Sequence, residues 1–172
     1  MVDLDFHVDP EIGPDLATRL IRLWTDVTNA DGAVGLVPPV TVDDVRPLAD
    51  KAFGAVRTGE SHLVVAETGG EPVGFFFLEH RPGPLFRHWA ELKRLQIRPD
   101  LQGAGLGTEL LQAAAQSARD LGLEQLRARV RGGTGAEAFY VKHGYEIVAR
   151  VPDAIRVAPG DDREEIYLIL RL

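Results

Sequence analysis

Cysteine is missing from the chain altogether, which excludes disulfides, thiolate metal sites and a cysteine nucleophile together. Long apolar runs are missing too, since no stretch approaches the roughly 18 residues a membrane helix needs. The first residues, MVDLDFHVDPE, are acidic where a signal peptide is basic and then apolar, so the sequence points to the cytoplasm and to no membrane partner. Basic residues are in the minority, 19 Lys and Arg against 26 Asp and Glu, for a formal charge of -7. That balance argues against a nucleic-acid partner, because binders of phosphate backbones usually present a basic face. It favours a cationic ligand, or it serves solubility alone. The five histidines show no metal-ligand spacing, so no metal is assigned. Internal repeats, low-complexity tracts and long linkers are also absent, which leaves Gly and Pro to mark turns within one unit.

What is present is a chain of 172 residues, 45% of them hydrophobic and 26% charged, enough for a single domain over residues 1–172 with a real core. Asp3 to Val8 reads as a short strand, and Asp15 to Asn29 spaces Leu16, Leu20, Leu23, Trp24 and Val27 as an amphipathic helix. A loop from Ala30 to Val40 leads to Thr41, which with Asp44 forms a capping box for a second helix ending near Gly59. Three β-rich runs follow, His62 to Thr68, Pro72 to Glu79 and Leu85 to Arg98, and read as an antiparallel meander. Gly103 to Leu121 is then helical, Leu123 to Val130 extended, and the strand, helix and strand sequence implies a parallel crossover. Thr134 with Glu137 reads as a second capping box, for a helix that stops at Gly144. Tyr145 to Val151 and Glu165 to Leu172 close the chain around a Pro152 to Arg163 loop. The fold class is α/β: a mixed central sheet of about seven strands flanked by about four helices.

The sharpest chemical signal is QGAGLG, Gln102 to Gly107. Pro99 ends the strand before it, and Gly103, Gly105 and Gly107 let the backbone turn and come close to a ligand. The loop opens a helix, so unpaired amides and the positive end of the macrodipole coincide, an arrangement suited to a pyrophosphate. A Walker loop needs Lys-Ser/Thr after its last Gly, where Thr108-Glu109 stands here. A dinucleotide fingerprint needs a longer third step. Three glycines could also be a tight turn and nothing more.

The loop resembles the signature of the GNAT superfamily of N-acetyltransferases, Gln or Arg, two residues, Gly, one residue, then Gly or Ala, through Gln102, Gly105 and Gly107. The order of elements resembles that fold over nearly the whole chain. Asp31 to Gly35, Gly135 to Tyr140 and the Pro152 to Tyr167 tail are similar to the tabtoxin-resistance type of acetyltransferase. The resemblance implies acetyl-CoA as co-substrate. The main chain of Leu95, Gln96 and Ile97 is then expected to pair with the pantetheine arm as an added strand, and Gln102, Gly103, Ala104, Gly105, Leu106, Gly107 and Thr108 to hold the pyrophosphate. A second block matches at Phe139, Tyr140, Lys142, Gly144 and Tyr145, although Gly133 stands where family members often carry an Asn.

An alkyl ammonium with a pKa of about 10.4 must lose a proton before it attacks a thioester. The resemblance puts a carboxylate for that task on the fourth strand, here Glu91; the plainer reading makes Glu91 a cross-strand partner of Lys93 or Arg94. His88 is a second candidate, although a lone strand histidine is usually structural or exposed. Tyr140 matches the family position for the acid that protonates the leaving thiolate, or is a packed aromatic beside Phe139. A backbone N–H of the fourth strand, such as that of Ile97, would stabilise the developing oxyanion. With no Cys and no G-x-S-x-G, direct transfer in a ternary complex is expected. The Asp31 to Pro39 and Pro152 to Arg163 loops are expected to form the acceptor side, with Asp161, Asp162 and Glu164 as candidates for recognising a cationic amine. The reading is an N-acetyltransferase for a small-molecule amine; peptide N-terminal acetylation and a non-catalytic acyl-CoA sensor stay open, and relatives of this fold admit a homodimer.

Overall fold

A computed structural model describes residues 3–172. Its centre is a seven-stranded sheet in the order β1-β2-β3-β4-β5-β7-β6. The strands are β1 (Asp5–Val8), β2 (Ser61–Thr68), β3 (Glu71–His80), β4 (Trp89–Ile97), β5 (Gln125–Arg131), β6 (Glu146–Ala158) and β7 (Asp161–Arg171). Every neighbouring pair is antiparallel except β4 with β5. That exception carries the crossover, through helix α3 (Leu106–Asp120), and parallel neighbours require such a connection.

The two faces of β3 divide the core. Phe75 and Phe77 pack with Trp24 of α1 (Pro14–Asn29) and Phe53 of α2 (Val42–Arg57). Phe76 and Leu78 face the other way, onto Leu110, Leu111 and Ala114 of α3. The aromatic cluster is ordered as well as buried, with Trp24 and Phe75 meeting edge to face at 5.8 Å. α2 starts as its sequence dictates: the Thr41 hydroxyl accepts from the Asp44 amide, and the Asp44 carboxylate accepts from the Thr41 amide. The two hydrogen bonds from Thr41 hold the Asp44 carboxyl below its usual range.

Four expectations are corrected. The strand expected from Leu85 starts only at Trp89, because Pro84–Phe86 forms a single helical turn, with the Arg81 guanidinium 3.9 Å above the Phe86 ring. Thr134 and Glu137 form no capping box: Gly135 is the N-cap of α4 (Ala136–Lys142) and takes φ +77. The Thr134 hydroxyl instead donates to the Arg131 carbonyl and accepts from the Ala136 amide. α3 begins at Leu106 rather than Gly103, because Gly103 and Gly105 both adopt positive φ. Lastly, the supposed Pro152 to Arg163 loop is a long hairpin in which β6 and β7 pair from Glu146↔Ile169 to Ala158↔Asp161. Pro152 falls in a register shift of β6 between Val151 and Ile155, on the edge of the sheet, where no ladder donor is lost.

Candidate active site

β4 is zipped to β5 only over its first half, Trp89↔Gln125 to Leu92↔Ala128. Past that point β5 continues along β7 while β4 turns away. The turn has a local cause: against β3 the register slips between Phe75 and Phe77, so that Arg94 and Leu95 oppose the single residue Phe76. A bulge of this kind bends its strand, and Arg94 takes φ +53 within it, a conformation that costs a side-chain-bearing residue roughly 1–2 kcal/mol.

The parting strands leave a cleft of about 580 Å³. One wall is β4 from Glu91 to Ile97, the other is Arg129 to Arg131 of β5. Asp31 to Gly35, after α1, form one end, and Gln102, Thr134, Phe139 and Tyr140 the other. The expected strand segment Leu95, Gln96 and Ile97, with Gln102 and the aromatic pair of α4, are thus brought together. Lys142 is not: it is exposed and lies outside the cleft lining.

Gly103, Ala104 and Gly105 are exposed, and Gly105, at φ +87, starts α3 with no side chain capping it. Leu106 is buried in the core at 3% exposure, so the loop can offer its backbone but not that side chain to a ligand. Gly107 has a packing reason to be glycine, since a Cβ there would lie 3.2 Å from the Phe139 ring. Thr108 is tied to α4 by His143, whose Nε2 lies 3.0 Å from the Thr108 hydroxyl while Nδ1 lies 2.8 Å from the Phe139 carbonyl. A carbonyl only accepts, so Nδ1 carries the proton. His143 carries no motif signal, and only the fold brings it to Thr108.

Tyr140 is buried against Phe139 and Tyr145, ring centres 5.8 and 5.0 Å away. Burial raises its phenol above the ordinary tyrosine range, so the hydroxyl stays neutral and holds its proton more tightly than a free tyrosine does.

Glu91 lies on the cleft wall, but its first partner is neither Lys93 nor Arg94. Arg129 grips it with two hydrogen bonds of 2.6 and 3.1 Å. Lys93 stands 3.8 Å away and is held more closely by Glu79 at 2.7 Å. The hydrogen bonds that Arg129 donates to Glu91 raise its guanidinium above its already high range. The ion pair also borders a second cavity of about 400 Å³ lined by Trp89, Arg127 and Tyr167. His88 precedes β4 and lies outside the cleft lining, and its backbone carbonyl accepts from the Glu124 and Gln125 amides.

The acidic candidates on the tail are corrected by their own neighbours. Asp161 pairs with Arg163, Asp162 with Arg156 at 2.6 Å and Glu164 with Arg150 at 2.6 Å. Those hydrogen bonds hold the Asp161 and Asp162 carboxyls below their usual range. None of the three lines the cleft, and its nearest hairpin member is Glu165. Gly133, the departure from the usual Asn, also has a neighbour in place of its side chain: a Cβ there would meet the Arg163 guanidinium at 2.6 Å. Among the described residues, no cluster of three His, Cys, Asp or Glu could hold a metal ion, and no helix is long and apolar enough to cross a membrane.

An uncapped, glycine-led helix start, an open strand edge and a buried phenol thus stand together, with room for an extended anionic ligand. Residues 17–145 match the Acetyltransferase (GNAT) family, and the chain belongs to that family; it is an acetyl-CoA-dependent N-acetyltransferase. It is 34% identical over 135 residues to an L-methionine sulfoximine/L-methionine sulfone acetyltransferase of Pseudomonas aeruginosa, covering 77% of this chain and 76% of that protein. Its fold is similar to that of a presumed phosphinothricin N-acetyltransferase, with a TM-score of 0.81 at 22% identity over 99% of both chains. It is also similar to a presumed acetyltransferase of Salmonella typhimurium solved with its cofactor acetyl-CoA, with a TM-score of 0.75 at 17% identity over 98% of this chain and 94% of that one.

Proposed function

We propose that the protein acetylates the primary amine of a small, amino-acid-like molecule by direct transfer within a ternary complex. The observation that carries this reading is the parting of β4 from β5, which leaves the Leu95 to Ile97 edge open between the α3 start and Tyr140. The Pseudomonas relative supports the acceptor class, since its name gives L-methionine sulfoximine and L-methionine sulfone.

Acetyl-CoA supplies an activated acetyl group as its thioester. The open amides from Gly103 to Gly107, within the Gln102 to Thr108 loop, suit its pyrophosphate, and the edge of Leu95, Gln96 and Ile97 suits its amide-bearing arm. Phe139 backs Gly107 and sets how close the helix start comes to α4. Glu91 takes the proton of the incoming ammonium, directly or through a water, and Arg129 aims its carboxylate. Tyr140 gives its phenolic proton to sulfur as the carbon–nitrogen bond forms and the carbon–sulfur bond breaks, and the second proton shed by the nitrogen returns through solvent to restore the phenol. Asp31 to Gly35 close the acceptor end.

A thiol-release assay with acetyl-CoA tests the reading across L-methionine sulfoximine, L-methionine sulfone, other amino acids, simple alkylamines and short peptides. Release with small amino acids and not with peptides is expected. Acetyl-CoA binding without release against every acceptor would instead mark a sensor, and ping-pong initial rates with a labelled acetyl-enzyme would overturn direct transfer.

A further inference from the structure

The chain is acidic overall, yet its cleft is lined by Lys93, Arg94, Arg129 and Arg131. Three of these cations are engaged. Lys93 is bound by Glu79 at 2.7 Å and Arg129 by Glu91 at 2.6 Å. Arg131 reaches the Leu36 carbonyl at 3.5 Å and so braces the acceptor-end loop.

Arg94 differs. Its Nε is buried with no hydrogen-bond partner among the described residues, and Glu79 and Glu91 act on it only through space. Its guanidinium lies 5.1 Å over the Trp24 ring, and Nε approaches the Gly35 position, where a Cβ would stand 3.3 Å away. The group is therefore directed at the acceptor end, between α1 and the loop after it. Gln96, only 3% exposed, lines the same cleft, and its Oε1 is likewise buried without a partner. A buried donor and a buried acceptor without partners, on two residues that line one cleft, each carry a desolvation cost that a ligand reached by a small side-chain turn would relieve.

The geometry points to Arg94 as the residue that selects acceptors carrying a carboxylate next to the amine, through a charge-assisted pair with its guanidinium. This rests on the proposed acceptor class and narrows it. A planar guanidinium suits a carboxylate's two oxygens, and the adjacent amine N–H suits the acceptor atom of Gln96. The protein's net charge predicts the opposite preference, for a cationic acceptor.

The test compares the two sulfur amino acids of the acceptor screen with their α-carboxamides, in the wild type, Arg94→Gln and Arg94→Lys. Turnover is followed by thiol release, and binding to the CoA-loaded protein by calorimetry. The wild type is expected to favour the free acid. Arg94→Gln is expected to raise KM for the acid about thirtyfold or more while kcat, acetyl-CoA affinity and the carboxamide KM stay within about threefold. Arg94→Lys should recover part of the loss, and it keeps the comparison available if the glutamine variant does not fold. Equal use of acid and carboxamide by the wild type overturns the assignment, as does an equal loss for both in the variants. Acid-selective, Arg94-dependent binding without any thiol release keeps the assignment and overturns the transferase role. Release that ignores Arg94 does the reverse, and absence of binding for every probe overturns both.

Discussion

Two helix starts in this molecule face the same physical problem and solve it in opposite ways. At α2, Thr41 and Asp44 close the first turn on itself with reciprocal hydrogen bonds. At α3, Gly105 offers no side chain and the amides are left open. The same division runs along β4, zipped to β5 up to Leu92 and free beyond it. Satisfied backbone is where the chain holds itself together, and unsatisfied backbone is where it has room for something else.

The comparison breaks first at Tyr140. Tyr140→Phe should lower kcat about a hundredfold or more, with acetyl-CoA affinity within about threefold, as measured by steady-state kinetics and calorimetry. An unchanged kcat would remove the phenol from proton transfer. Next in size, Gly105→Val should weaken acetyl-CoA binding about tenfold, because a branched side chain resists the +87° φ and crowds the open amides. Thr41→Ala strips the closed helix start instead. It should cost about 1 kcal/mol, read as a melting temperature roughly 2–4 °C lower in a domain of this size, with kinetic constants unmoved.

The two buried tyrosines sharpen the contrast further. Tyr145 has a buried hydroxyl with no partner, so Tyr145→Phe should raise the melting temperature by roughly 2 °C where Tyr140→Phe slows turnover. Burial raises both phenols, with Tyr140 adding to the shift at Tyr145. A folded pKa above the unfolded value of about 10 means that stability is complete below roughly pH 10 and lost as the pH climbs past it. Melting curves between pH 8 and 11 should show that decline in the wild type and a shallower one in Tyr145→Phe.

Much of this was legible in order of residues, and the reasons for the rest are specific. Gln102 to Gly107 and the 3.6-residue spacing after it declare a helix start open to an anion, and the α1 and α2 stripes declare one face of the core. Thr41-Asp44 and Thr134-Glu137 look alike on paper, yet Gly135 lets the backbone take a left-handed turn that displaces the second box. The β6–β7 hairpin reads as a loop because Pro152 and its charges are tolerated only on an edge facing solvent. The partner of Glu91 was hidden for a different reason: Arg129 stands 38 residues away, and only the parallel pairing of β4 with β5 brings them together. Likewise, no periodicity says which of the arginines is left unpaired in the cleft.

The one-residue slip at Arg94 and Leu95 also changes the phase of the strand. Before it, the even-numbered Ala90 and Leu92 pack toward α3, and after it the odd-numbered Leu95 and Ile97 do so. The strand therefore carries two frames of alternation joined at a single residue. Lys93 and Arg94, on the two sides of that junction, both turn toward the α1 and α2 face, where Lys93 meets Glu79 and Arg94 meets Trp24. Had the even-numbered frame run on without the slip, Gln96 rather than Ile97 would face the α3 core; deleting one of the two bulge residues would instead leave Ile97 on that core and flatten the strand. The cleft exists because the sheet loses count once.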